Sequence, residues 1–190
     1  SPDLRKLAII EHNGKITDLY IVDLESKLTQ KITPMDYKHI WNIDWKSNDL
    51  LYGVNNNENK KSSIIMFNIL KNEPEVLFTV KSNVTSFDAY EDMFVYVESD
   101  DTKDLSNIFI KKNQKRLKKI DSGLDCEFIS EDKLVYRKKA EKEDKYQLYM
   151  YDLKGNEEKP LTDFDTRKFI IIDRQTILIV GKNNSSTDYS

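Results

Sequence analysis

The sequence predicts an all-β fold of repeated four-stranded antiparallel blades, a β-propeller, from two strand series and one edge pattern. The first series is LYIVDL at residues 19–24, IIMFNI at 64–69, IFIKKN at 108–113 and LYMYDL at 148–153. Their starts lie 45, 44 and 40 residues apart. The second series is LLYGV at 50–54, FVYVE at 94–98, LVYRK at 134–138 and ILIVG at 177–181, with LAII at 7–10 as a fifth copy. Its third residues, Tyr52, Tyr96, Tyr136 and Ile179, are spaced 44, 40 and 43. Two independent series with one period in the forties mark a radial repeat. A β-sandwich also has many short strands, but it does not predict a shared period.

The elements follow in order once the strands are lettered A to D from the channel outward. A strands are expected at 41–45, 85–89, 126–129 and 169–172, and B strands at the second series. C strands are the first series, and D strands are 27–33, 75–79, 114–120 and 158–162. B and C strands are nearly all apolar, as central strands between neighbouring blades must be. D strands are rich in Lys and Gln, which guards an exposed edge against pairing. Turns carry Asn13-Gly14, Ser47-Asn48-Asp49, Glu91-Asp92, Glu131-Asp132 and Lys154-Gly155-Asn156, the residue types that favour reversal. The expected organisation is a propeller over 1–182, with full blades at 39–80, 84–120 and 124–162. Partial blades cover 1–33 and 166–182, and 183–190 is expected as a disordered tail.

Composition narrows the function classes. The chain has 190 residues, 38% apolar and 33% charged, with a net charge of −3. That balance gives no global attraction to nucleic acid or anionic membranes. No run approaches the roughly 18 apolar residues of a membrane helix. One cysteine, Cys126, excludes an internal disulfide. The first residues are no secretory leader.

These residues resemble the TolB-type, WD40-like propeller repeat of bacteria. That repeat reads as a W-S-P-D-G turn, an apolar strand, an I-Y-x-x-D-x-x-G hairpin and then L-T. Ser1-Pro2-Asp3 with Lys6-Leu7-Ala8-Ile9 resembles the first part, and Trp45-Lys46-Ser47-Asn48-Asp49 is a degenerate copy. Leu148-Tyr149-Met150-Tyr151-Asp152-Leu153-Lys154-Gly155, followed by Pro160-Leu161-Thr162, is the cleanest copy. The blades at 84–120 and 124–162 depart from the turn motif, with Tyr90-Glu91-Asp92 and Ser130-Glu131-Asp132 in its place. The resemblance implies an exported binding protein, an extracytoplasmic sensor part, or the gating domain of a prolyl-oligopeptidase-like peptidase. It also implies more blades than are present, so the segment reads as part of a longer chain with an incomplete ring.

Candidate chemistry is sparse. His12 and His39 are the only histidines, too few with Cys126 for the three or four convergent ligands of a zinc site. No G-x-S-x-G elbow is present for a serine hydrolase, and the five isolated glycines form no phosphate loop. Asp100, Asp101 and Asp104 lack the EF-hand pattern for calcium. No metal or cofactor is expected. The run KKNQKRLKK at 111–119 is either an anionic-partner patch or a solvated C–D hairpin, and the acidic chain favours the hairpin. Residues 137–145 read as a long charged loop between strands B and C.

Two D–A loops are the candidate binding residues. Asp36, Tyr37, His39 and Trp41 mix aromatic and polar groups as protein-binding surfaces do. Asp163, Asp165 and Arg167 are their counterpart at the last blade. The alternative is that Trp41 and Phe164 pack between blades. The expectation is a non-enzymatic binding or sensor module for a protein or envelope ligand. The rivals are the propeller part of a larger enzyme, and a repeat that forms a homodimer through its open edge.

Overall fold

The computed structural model describes residues 1–14, 16–32, 39–56, 61–100, 105–112, 115–140, 144–173 and 175–182. The expected tail at 183–190 lies outside them. Every regular element among the described residues is a β-strand, and no helix is long and apolar enough to cross a membrane.

Blade 1 holds β1 (Lys6–Asn13), β2 (Ile16–Asp23) and β3 (Thr29–Lys31). Blade 2 holds β4 (Ile40–Trp45), β5 (Leu50–Asn56), β6 (Ser62–Asn68) and β7 (Glu73–Val80). Blade 3 holds β8 (Val84–Tyr90), β9 (Met93–Asp100), β10 (Leu105–Lys112) and β11 (Lys115–Ser122). Blade 4 holds β12 (Leu124–Ser130), β13 (Lys133–Lys139), β14 (Tyr146–Asp152) and β15 (Glu157–Pro160). Blade 5 holds β16 (Asp165–Ile171) and β17 (Ile177–Lys182). Each sheet is antiparallel and follows chain order, so the A, B, C and D strands lie side by side as the repeat predicts. Blades 1 and 5 remain separate sheets of three and two strands, and the ring is open. The segment expected as a long B–C loop begins as strand, because β13 runs on to Lys139.

Packing lies between blades. Leu19 and Ile21 of blade 1 meet Leu51, Ile65 and Phe67 of blade 2. Tyr52, Val54 and Ile64 meet Phe87, Phe94 and Tyr96 of blade 3. Val95, Val97 and Ile108 meet Cys126, Leu134 and Tyr136 of blade 4. Val135 and Leu148 meet Phe169 of blade 5, with Ile177 and Ile179 alongside. Alternate residues of the B strands β5, β9 and β13 thus serve the preceding and the following blade. The D strands β3 and β15 are exposed throughout, as their charges require.

One expected equivalence is out of register. Tyr52 pairs with Met66 and faces blade 3, whereas Tyr96 and Tyr136 pair with Phe109 and Tyr149 and face the preceding blade. The residues equivalent to Tyr52 are Val95 and Val135, which pair with Ile110 and Met150. A one-residue slip reverses the face of a strand, and a tyrosine recurring near the period concealed it.

The Asp of the LYxxDL strand closes the C–D hairpin. Asp23 Oδ1 accepts the N–H groups of Glu25 and Ser26, Asn68 Oδ1 those of Leu70 and Lys71, and Asp152 Oδ1 those of Lys154 and Gly155. Four residues after each, Lys27, Asn72 and Asn156 take positive φ of 59°, 53° and 56°. The threonine of the terminal L-T is equally specific: Thr162 Oγ1 accepts the Leu148 N–H at 2.9 Å.

Candidate functional site

The four A strands share a device near their first residues. Each shifts register at its second or third residue, around Asn42, Thr85, Asp125 and Arg167. Asn42 and Asp125 have positive φ of 49° and 39°. Such bulges free a side chain from strand alternation and re-aim it. Asn42 donates its amide to the Phe87 carbonyl of the next blade at 3.1 Å. Arg137 donates Nε to the Asp125 carboxylate at 2.7 Å. The same guanidinium donates to the carbonyls of Thr166 and Arg167 in blade 5. The D–A ends of neighbouring blades are therefore cross-linked at the innermost strands.

Further along the A strands stand three carboxylates at one structural position. Asp44 pairs with Tyr52, Asp88 with Val95 and Glu127 with Val135, the three equivalent B-strand residues. Asp88 accepts the Ala89 N–H at 2.8 Å and, across the blade boundary, the Phe128 N–H at 2.6 Å. Glu127 accepts the Ile171 N–H of blade 5 in the same manner, and Asp44 that of Trp45. The fourth member is Ile170, paired with Leu178. Burial dominates their electrostatics. It raises Asp44 to about 7, helped by the nearby charge of Asp88, and Asp88 to about 6 against its two hydrogen bonds. Glu127 is raised to about 7 by burial and the charges of Asp88 and Asp125. Carboxyls poised near neutrality can donate or accept a proton within a hydrogen bond. Among the described residues no set of three or more His, Cys, Asp or Glu side chains is placed to hold a metal ion.

The expected binding residues divide. Asp36 and Tyr37 lie outside the described residues. His39 contributes backbone, with its N–H on Asn55 Oδ1 at 3.3 Å and its carbonyl accepting the Asn56 N–H at 3.1 Å. Trp41 packs against the cluster between blades 2 and 3, and its indole N–H is buried with no partner among the described residues. For Trp41 the packing alternative is the one realised. Asp163, Asp165 and Arg167 do gather at the D–A end of blade 5. Lys145 donates to the Asp163 carbonyl at 2.6 Å, and the Tyr146 N–H to Asp165 Oδ1 at 3.0 Å. Phe164 sits against Gly181, where a Cβ would come within 2.5 Å of its ring.

Asp44, Asp88 and Glu127 were not among the expected residues. Their signal was present, since they are 44 and 39 residues apart and so keep the period of the repeat. The remaining candidates are occupied structurally. Cys126 is wholly buried, its N–H donates to Ser86 Oγ at 3.1 Å, and burial pushes its thiol far up, away from reactive thiolate. His12 Nδ1 shares a hydrogen bond with Thr17 Oγ1 at 3.2 Å. Within the basic run, Lys118 donates to the Tyr151 hydroxyl of blade 4 at 2.6 Å, and Lys111 lies 4.3 Å from the centroid of the Phe78 ring of blade 2.

No family model and no curated protein matches the chain. Solved structures do. TolB from Acinetobacter baumannii superposes with a TM-score of 0.74 at 18% identity, over 95% of this chain and 48% of that one. The fold is the TolB-type β-propeller. The β-propeller domain of the Trilobed protease from Pyrococcus furiosus, which has an open velcro topology, gives 0.72 at 20% identity, over 96% of this chain and 62% of that one. The acylaminoacyl peptidase of Pyrococcus horikoshii gives 0.71 at 18% identity, over 95% of this chain and 34% of that one. The TolB-type propeller described here thus spans less than two thirds of each.

Proposed function

We propose that this TolB-type propeller is a non-enzymatic binding module that works outside the cytoplasm. It offers the D–A end of its innermost strands to a protein or envelope ligand. The observation that carries this reading is the bulge repeated in every A strand. It places Asn42, Thr85, Asp125 and Arg167 together at one end of the scaffold, out of strand alternation. Binding residues on a rigid scaffold concentrate at such loop ends. Peptides selected on the purified chain, followed by amide hydrogen exchange of the complex, test it. Protection at residues 39–42 and 163–167 is expected. Protection confined to the D strands overturns the reading.

A second reading is favoured by the likeness to two peptidase propellers. In it the chain is the propeller part of a larger enzyme. A hydrolase domain with a G-x-S-x-G elbow in the coding sequence beside this segment decides for that reading.

A further inference from the structure

A cavity of about 270 Å³ opens between blades 3 and 4, at the end of the blades where the A–B and C–D turns lie. Both of its neighbours are complete four-stranded sheets. Its floor is apolar, made of Met93 and Ile110 of blade 3, both buried, and Leu153 of blade 4. Its rim is charged. Lys154 pairs with Asp132 at 3.0 Å. Lys118 reaches across the seam to the Tyr151 hydroxyl at 2.6 Å and to Asn156 Oδ1. Both acceptors are neutral, so the charge of Lys118 is not cancelled, and an ammonium has a third N–H to give. The Lys112 ammonium has no partner among the described residues. Glu131 is exposed on the same rim, which leaves the three lysines and two acids with one net positive charge.

This charge is a departure from the repeat. Lys112 pairs with Met93 and so takes the place of Asp23, Asn68 and Asp152, the residues that close the other three C–D hairpins. In blade 3 Lys112 pairs directly with Lys115 instead. A second cavity, of about 370 Å³, occupies the same place between blades 1 and 2. Strand pairing equates its Ile21, Asp23 and Gln30 with Ile110, Lys112 and Lys118. The two cavities share an apolar wall, and only the one between blades 3 and 4 puts two lysines free of carboxylate partners above it.

We infer that the cavity between blades 3 and 4 holds the C-terminal residue of a partner polypeptide. An apolar terminal side chain rests on Met93, Ile110 and Leu153, and the α-carboxylate meets Lys112 and Lys118. The volume falls below the roughly 300–1,000 Å³ of a pocket for a whole small molecule and suits one anchoring side chain of a partner. A terminal residue is the peptide unit that carries an apolar side chain and a carboxylate on one carbon, as a cavity this small requires. The site lies at the end of the blades opposite the D–A loops, and the inference is independent of the binding reading above.

Amide shifts of the isotope-labelled chain, titrated with the acetylated pentapeptide GSGSF bearing a free carboxyl end, test it. Saturable shifts are expected at Ile110, Lys112, Asp132 and Leu153, and none at Ile21 and Gln30. The same peptide with an amidated end should bind about tenfold more weakly or worse, because it loses hydrogen bonds made to a charged group. Lys112→Ala changes an exposed residue, circular dichroism confirms that it keeps its sheet, and it should weaken binding about two- to fivefold. No saturable shift at millimolar peptide overturns the inference, as does an amidated peptide that binds equally well. An acetylated and amidated GSFDGS that binds as tightly as the free-ended peptide overturns the terminal assignment. Shifts confined to residues 39–42 and 163–167 overturn this site while supporting the D–A reading.

Discussion

The Asp88 carboxylate accepts the Phe128 N–H at 2.6 Å and ties the innermost strand of blade 3 to that of blade 4. Asp88→Ala leaves that N–H, and the Ala89 N–H, without an acceptor in a partly buried setting. The expected cost is about 1–3 kcal/mol, the penalty for an unmade buried hydrogen bond. Asp88→Asn keeps an acceptor oxygen and should lose less. Urea unfolding of the three proteins at one pH checks the order.

The raised carboxyls fix the direction of a pH effect. Asp44, Asp88 and Glu127 hold their protons up to about 7, 6 and 7 in the folded chain, above the ordinary carboxylate range of the unfolded one. Their contribution is fully present below about pH 4 and is lost as pH rises through 6 to 7. Melting temperature should therefore fall between pH 5 and pH 8. Asp44→Asn cannot ionise, so it should gain about 1–3 kcal/mol on wild type at pH 8 and little at pH 4. Below pH 4 the opposite set takes over. Asp121, held low by its hydrogen bonds to Lys138 and the Ser122 N–H despite some burial, loses its contribution on protonation.

Lys27 holds a left-handed backbone with φ of 59° in an exposed C–D turn. The Cβ there is strained by about 1 kcal/mol, which glycine avoids. Lys27→Gly should stabilise the chain by about 0.5 kcal/mol after the entropy of the unfolded glycine is subtracted. Asp23→Ala in the same turn should destabilise the chain by removing the acceptor of two N–H groups. Thermal unfolding of the pair checks both signs.

Gly123 joins β11 to β12, and a Cβ there would lie 2.5 Å from the Arg137 carbonyl. Gly123→Ala must push two strands apart and should cost about 1–3 kcal/mol. Gly155→Ala is the control, because its nearest neighbours stand at 3.6 Å, and it should stay within about 0.5 kcal/mol of wild type. Chemical denaturation distinguishes them.

The architecture was legible because two strands of each blade are buried on both faces and repeat their apolar runs. The exposed D strands were found mostly by their place between neighbours, and β3 is shorter than its charged sequence suggests. Register was harder. Leu50-Leu51-Tyr52 and Val95-Tyr96 look alike as letters, yet the tyrosines face opposite blades. At the site, aromatic and charged loop residues drew the reading to Trp41, which the fold spends on packing. Asp44, Asp88 and Glu127 kept the period but hid among many solvated carboxylates. Only three-dimensional pairing shows that they share one position and are partly buried there.

Among the described residues the core falls into four clusters, each held by two adjacent blades. A terminal blade is tethered through one such seam and an inner blade through two. Amide protection should then climb from either end toward blade 3. A tug on the termini should peel the chain in steps, like cards drawn from the outside of a fanned hand.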